Sequence, residues 1–130
     1  MSKIIDVVKE LPELISTGAA DSIEIESAEN ELDLKFASEY KEYLLAFGTA
    51  SYYGHELTGI CAKDSSINVV DVTLEERAFF TNVSKEWYVI EQIHIDGIVI
   101  WQDEKGCIYE ATPQKIVLLY NSLKEYVEIA

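Results

Sequence analysis

WYVIEQIHIDGIVIWQDEKGCIYEA, Trp87 to Ala111, holds three apolar runs separated by two turn signals. Trp87–Ile93 and Gly97–Gln102 flank Asp96-Gly97, a dipeptide that tolerates left-handed backbone and closes tight hairpins. Gly97–Gln102 and Gly106–Ala111 flank Asp103-Glu104-Lys105-Gly106, where glycine again supplies a positive φ. Val, Ile, Tyr and Trp dominate the runs, the composition of strands. The stretch therefore predicts an antiparallel meander of three strands. Within it His94 lies between Ile93 and Ile95, and strict alternation puts it on the face opposite the isoleucines.

Upstream of the meander the pattern changes period. Thr73 and Glu76 have capping-box spacing, which predicts a brief helix over LEERAFF, residues 74–80. Asn68–Val72 reads as a short strand, and Glu56–Ala62 as another. Ser38 is placed to cap EYKEYLLAF, and Gly48 suits its C-terminal end. Tyr40, Tyr43, Leu44 and Phe47 recur at i, i+3, i+4 and i+7, so that aromatic stripe should face the core. Asp21–Asp33 holds six acids and no base, with Ser27 placed to cap a short helix over Ala28–Leu32. Ile4, Val8, Leu11 and Ile15 predict an N-terminal helix capped by Ser2, with Pro12 obscuring its end.

Downstream, Ser122 and Glu125 form another capping-box pair, and Leu123, Tyr126 and Val127 share an apolar face. Helices at both ends of clustered antiparallel strands make an α+β fold, with an antiparallel-rich sheet, a C-terminal meander and the end helices packed on the sheet. Ile4, Leu32, Tyr43, Leu44, Phe47, Ile60, Ile100, Ile108 and Leu123 are the expected core.

A length of 130 residues, 48% of them hydrophobic, suits one domain spanning 1–130 with a core of its own. No apolar run reaches the roughly 18 residues that a membrane span needs. The N-terminus carries acids instead of a basic region followed by an apolar one, so a signal peptide is not expected and the cytoplasm is the expected location. Cys61 and Cys107 belong to no C-x-x-C and read as reduced, buried small hydrophobes.

Charge narrows the partners. With 24 acids against 10 bases the formal net charge is −14, and Arg77 is the only arginine. Phosphate neutralisation needs Lys and Arg, so nucleic acid is excluded as a partner, and anionic membranes are disfavoured for the same reason. Such a surface serves solubility, and it also complements a basic protein.

Catalytic patterns are missing. His55 and His94 lie far apart with no cysteine or second histidine nearby, so no metal site is expected. No nucleophile elbow and no glycine-rich phosphate loop occurs, so no catalytic residue and no cofactor is expected. What remains is YYGHELTGI, Tyr52–Ile60, between a helix end and a strand. Tyr52, Tyr53, His55 and Glu56 there, with Asp103 and Glu104 on the second meander loop, are the candidate partner-binding residues. Loops carry binding groups, and tyrosine gives large contact area at low entropic cost.

AENELDLKFASEYKEYLLAFGT, Ala28 to Thr49, resembles the N-terminal signature of the SUKH superfamily. YYGHELTGI, NVVDVTLEER and DGIVIWQDEKGCIYE are similar to later segments of one bacterial branch. Asp33 stands where the family often has glycine, and Ala37 where proline is common. That superfamily includes bacterial immunity proteins that neutralise polymorphic toxins, and a fungal regulator of cell-wall synthesis. The resemblance implies a SUKH-like α+β fold and a non-catalytic immunity protein that binds a cognate toxin domain. The −14 charge suits a basic toxin such as a nuclease. A general interaction or regulatory module is the alternative, and a small enzyme using His55 or His94 the third. The expected state is a monomer or weak homodimer.

Overall fold

The structure, a computed structural model, describes residues 3–129. In chain order the elements are α1 (Ile4–Lys9), β1 (Ile15–Ser16), α2 (Ser22–Leu32), α3 (Ser38–Phe47), β2 (Ala50–Tyr52), β3 (His55–Leu57), α4 (Val69–Phe79), β4 (Tyr88–Gln92), β5 (Val99–Gln102), β6 (Ile108–Ala111), β7 (Ile116–Tyr120) and α5 (Leu123–Ile129). Two antiparallel sheets result, one of order β1-β2-β3 and one of order β4-β5-β6-β7. The expected α+β fold with its meander is present, extended by one strand. Residues 116–120, IVLLY, have no alternation to announce a strand, yet they pair with β6 at the sheet edge.

Alternation along β4 and β5 divides the core. Tyr88, Ile90, Ile100 and Ile108 join α1, α2, α3 and α5 in the larger cluster. Val89, Val99, Trp101 and Ala111 face the other way, against Val72 and Phe80. Of the expected core, Ile4, Leu32, Tyr43, Leu44, Ile100, Ile108 and Leu123 are buried, whereas Phe47 and Ile60 are only partly so.

Polar side chains tie helices to the meander. The Ala37 N–H donates to Tyr88 Oη at 2.9 Å, and Tyr88 Oη donates to Gln102 Oε1 at 2.8 Å. Gln102 Nε2 reaches Glu39 at 3.3 Å, and the Glu39 carboxylate accepts from Leu123 N at 2.6 Å and Lys124 N at 2.9 Å. One carboxylate from α3 therefore caps α5 as well, together with Ser122 Oγ, which accepts from Glu125 N at 3.1 Å.

Several local expectations are corrected. The Ser2 cap lies outside the described residues. α1 ends at Lys9, before Pro12, and Ile15 is an exposed strand residue. α2 begins at Ser22 because Asp21 and Glu24 form a reciprocal capping box, at 2.8 and 3.1 Å, so Ser27 lies inside the helix. α3 starts at Ser38 with Ala37 at the cap position and no side-chain cap.

Asn68–Val72 is helix, not strand. Asn68 Oδ1 accepts from Val70 N at 3.0 Å, and Val69, Val70, Val72 and Thr73 bury one face of α4. Thr73 therefore sits inside α4, and its hydroxyl accepts from Val89 N at 3.0 Å. Glycines let the segments that follow β1, α3 and β3 meet at backbone contact: a Cβ on Gly59 would stand 1.7 Å from the Gly48 carbonyl oxygen, and one on Gly48 2.0 Å from that of Gly18.

Candidate partner-binding surface

YYGH makes a hairpin rather than a helix-to-strand joint. Tyr52 pairs with His55 across β2 and β3. The two residues between them, Tyr53 and Gly54, have φ of 42° and 85°. Both left-handed values suit a tight hairpin turn, although tyrosine takes such a conformation at a cost. Tyr53 stands 74% exposed at the tip, whereas Tyr52 is buried and stacks on the His55 ring at 5.1 Å.

His55 is held from beneath. Glu91 of β4, itself buried, accepts from His55 Nδ1 at 3.2 Å, from Glu56 N at 3.0 Å and from Tyr126 Oη at 2.5 Å. A buried carboxylate is tolerated when its lone pairs are filled in this way. Burial pushes the Tyr126 and Tyr52 hydroxyls up, and Glu91 adds to both shifts. Tyr52 Oη has no hydrogen-bond partner among the described residues. His55 and Tyr52 thus anchor the hairpin, while Tyr53 and Glu56 reach solvent.

The second loop is placed elsewhere. Glu91 pairs with Ile100 and Tyr88 with Gln102, so Asp103 and Glu104 lie past the Tyr88 end of β4 and His55 at its other end. Asp103 is occupied within its own loop, accepting from Lys105 N, Cys107 N and Tyr109 Oη at 2.9 to 3.0 Å. Burial and the Asp103 bond push the Tyr109 hydroxyl up to about 12. Glu104 is exposed and borders a groove of about 350 Å³ with Glu29, Asp33, Lys35 and Glu86.

Glu56 belongs to a different surface. It borders a small depression of about 100 Å³ whose wall includes Gln92 and His94. Those two residues also line a larger groove of about 290 Å³ between α4 and the β4–β5 connection. That connection breaks strand alternation, because His94, Asp96 and Gly97 have φ of 63°, 54° and 70°. His94 is therefore not a strand residue opposite the isoleucines. Asp96-Gly97 does close a turn, with Ile98 N donating to Ile95 O at 3.0 Å. Across the groove Glu76 is half-buried, and burial followed by Glu75 pushes its carboxyl up. Phe79 is 70% exposed. Glu76 and Phe79 are not among the contacts expected from sequence; the signal for them was the Phe79-Phe80 pair, too apolar for one helix face to bury.

Among the described residues, no group of three His, Cys, Asp or Glu side chains could hold a metal ion. Cys61 and Cys107 are half-buried and form no disulfide. No helix among them is long and apolar enough to cross a membrane. What the surface offers is acids and exposed aromatics in shallow grooves. Two comparisons bear on this arrangement. A family model described as SUKH_5, SMI1-KNR4 cell-wall, matches residues 1–129. No curated protein matches the chain.

Proposed function

We propose that this chain, which belongs to the SUKH family (SMI1-KNR4 cell-wall), binds a basic toxin domain in the cytoplasm and blocks it without catalysis. Family membership supports a protein-binding role, and immunity is the reading that fits the charge. The single observation that carries it is the −14 net charge, displayed on grooves edged by Glu56, Glu76, Glu86 and Glu104. A toxin that acts on nucleic acid must present cations to hold phosphates, and an acidic surface would steer to that face and occupy it. Tyr53, Glu56 and Glu104 are the exposed members of the expected contact set. His55, Tyr52 and Asp103 would act by holding backbone in place. The family description's reference to the cell wall favours a second reading, a regulatory interaction module with no toxin.

Association kinetics test the proposal. If a toxin domain is encoded beside this gene, it should bind the wild-type chain, with an on-rate that falls as salt rises, because exposed charges are screened over roughly 8 Å at physiological ionic strength. Glu56→Lys with Glu104→Lys should slow association by about tenfold or more and change dissociation less. An on-rate indifferent to salt and charge reversal would refute steering. Absence of binding would remove the immunity reading and favour the regulatory module.

A further inference from the structure

The groove between α4 and the β4–β5 turn has mainly apolar walls. Phe79, Phe80, Ile98, Val99 and Pro113 form them. One carboxylate, Glu76, stands in the lining beside His94, and two more, Glu75 and Asp96, are exposed on the flanking helix and turn. The sole arginine does not neutralise them, because Arg77 Nη2 donates to Lys85 O at 2.6 Å and to Leu32 O at 3.4 Å. Phe79 is 70% and Ile95 63% exposed, so α4 and the turn each present a large apolar side chain to water. Apolar surface edged by polar groups marks an interaction site.

Size and charge select the occupant. At about 290 Å³ the groove stands at the lower edge of the roughly 300–1,000 Å³ of small-molecule pockets and has room for one large side chain. A second copy of this chain would bring another net −14 against these carboxylates, and like charges oppose that contact. A protein segment with a large apolar side chain beside Lys or Arg meets both demands, its ring on the apolar walls and its cations against Glu75, Glu76 and Asp96. We propose that this groove is the anchor pocket for such a segment of the partner, entered by an aromatic or large aliphatic side chain flanked by cations. The inference rests on the binding role proposed above and names the chemistry of one contact within it. Buried aromatic anchors of this kind carry a large share of interface energy.

Two measurements test it. The first titrates the isotope-labelled chain with the peptide acetyl-Arg-Phe-Arg-amide and follows backbone amide resonances. Saturable shifts should cluster at Phe79, Gln92, His94 and Gly97. Acetyl-Arg-Ala-Arg-amide and acetyl-Glu-Phe-Glu-amide should each bind about tenfold more weakly or not at all. Phe79→Ser, whose site is exposed and should leave the fold intact, should remove most of the binding, and Glu76→Gln part of it. Shifts centred instead on Glu86 and Glu104, equal binding of the alanine peptide, or no saturable shift would each overturn the anchor pocket. The second measurement uses the neighbouring toxin domain. A toxin that binds wild type and Phe79→Ser equally overturns the pocket and leaves the immunity reading standing. A toxin that ignores the wild type, with the peptide result intact, removes the immunity reading and keeps the pocket.

Discussion

Glu91 shows how one side chain can fix the position of several others. It lies on β4, yet it holds the His55 ring, the Glu56 backbone and the Tyr126 hydroxyl of the last helix. Tyr126→Phe keeps the packing and removes one of those donors from a buried carboxylate. The expected loss is about 1.5–3 kcal/mol, read by urea denaturation. A loss below half a kilocalorie would place that hydroxyl outside the network. Tyr53 shows the opposite economy. Its φ of 42° is strained for a residue with a Cβ, and its ring is exposed. Tyr53→Asn should raise stability by about 0.5–1 kcal/mol, because asparagine tolerates left-handed backbone. The same change should weaken toxin binding if the ring is kept for contact, the usual reason that strain persists at a surface. An unchanged or lowered stability would mean that the ring contributes packing to the fold. From sequence, Tyr52 and Tyr53 entered the candidate set alike, since neighbouring tyrosines look the same until the hairpin buries one and leaves the other at its tip.

At the scale of elements, legibility followed the strength of the local signal. The meander was readable because two glycine-containing turns sit between β-branched runs, and α5 because Ser122 and Glu125 bracket its first turn. α4 was split between strand and helix because VVDV fits both periods over four residues. The arbiter was Asn68, whose side chain caps Val70 N. Gly59 is where elements meet most closely, with the Gly48 carbonyl filling the space of a side chain. Gly59→Ala should therefore cost roughly 3 kcal/mol or more, at the severe end of single substitutions, since backbone rather than a movable side chain must yield. A thermal midpoint equal to wild type would show that β3 can shift away from α3 without loss.

Over the whole molecule, buried tyrosines set the behaviour at high pH. Burial pushes the hydroxyls of Tyr40, Tyr43, Tyr52, Tyr88 and Tyr126 above the ordinary value of 10.0. The neutral form is the one the fold favours, so the folded value is raised. Their contribution is fully present below the unfolded value and is lost as pH rises beyond it. Unfolding free energy should be level up to about pH 9 and then fall, each such tyrosine removing up to about 1.4 kcal/mol per pH unit. Urea midpoints measured through pH 11, with tyrosinate absorbance followed in parallel, check this. A midpoint constant to pH 11 would contradict the burial of these hydroxyls.

Periodicity, turn chemistry and charge are local or additive properties of the chain. They determined the α+β class, the meander, the aromatic face of α3 and the apolar face of α5. The family signature is local too, which is why it is legible in the run from Ala28 to Thr49. Which side chains share a site is a matter of distant pairing, and only the tertiary structure decided it. Register places Glu91 under His55 and sends Asp103 to the far end of β4. The left-handed residues after Gln92 bring His94 into a groove with Glu76 and Phe79. No spacing along the chain encodes that meeting, because it depends on how α4 crosses the sheet, and packing of the whole core sets that crossing.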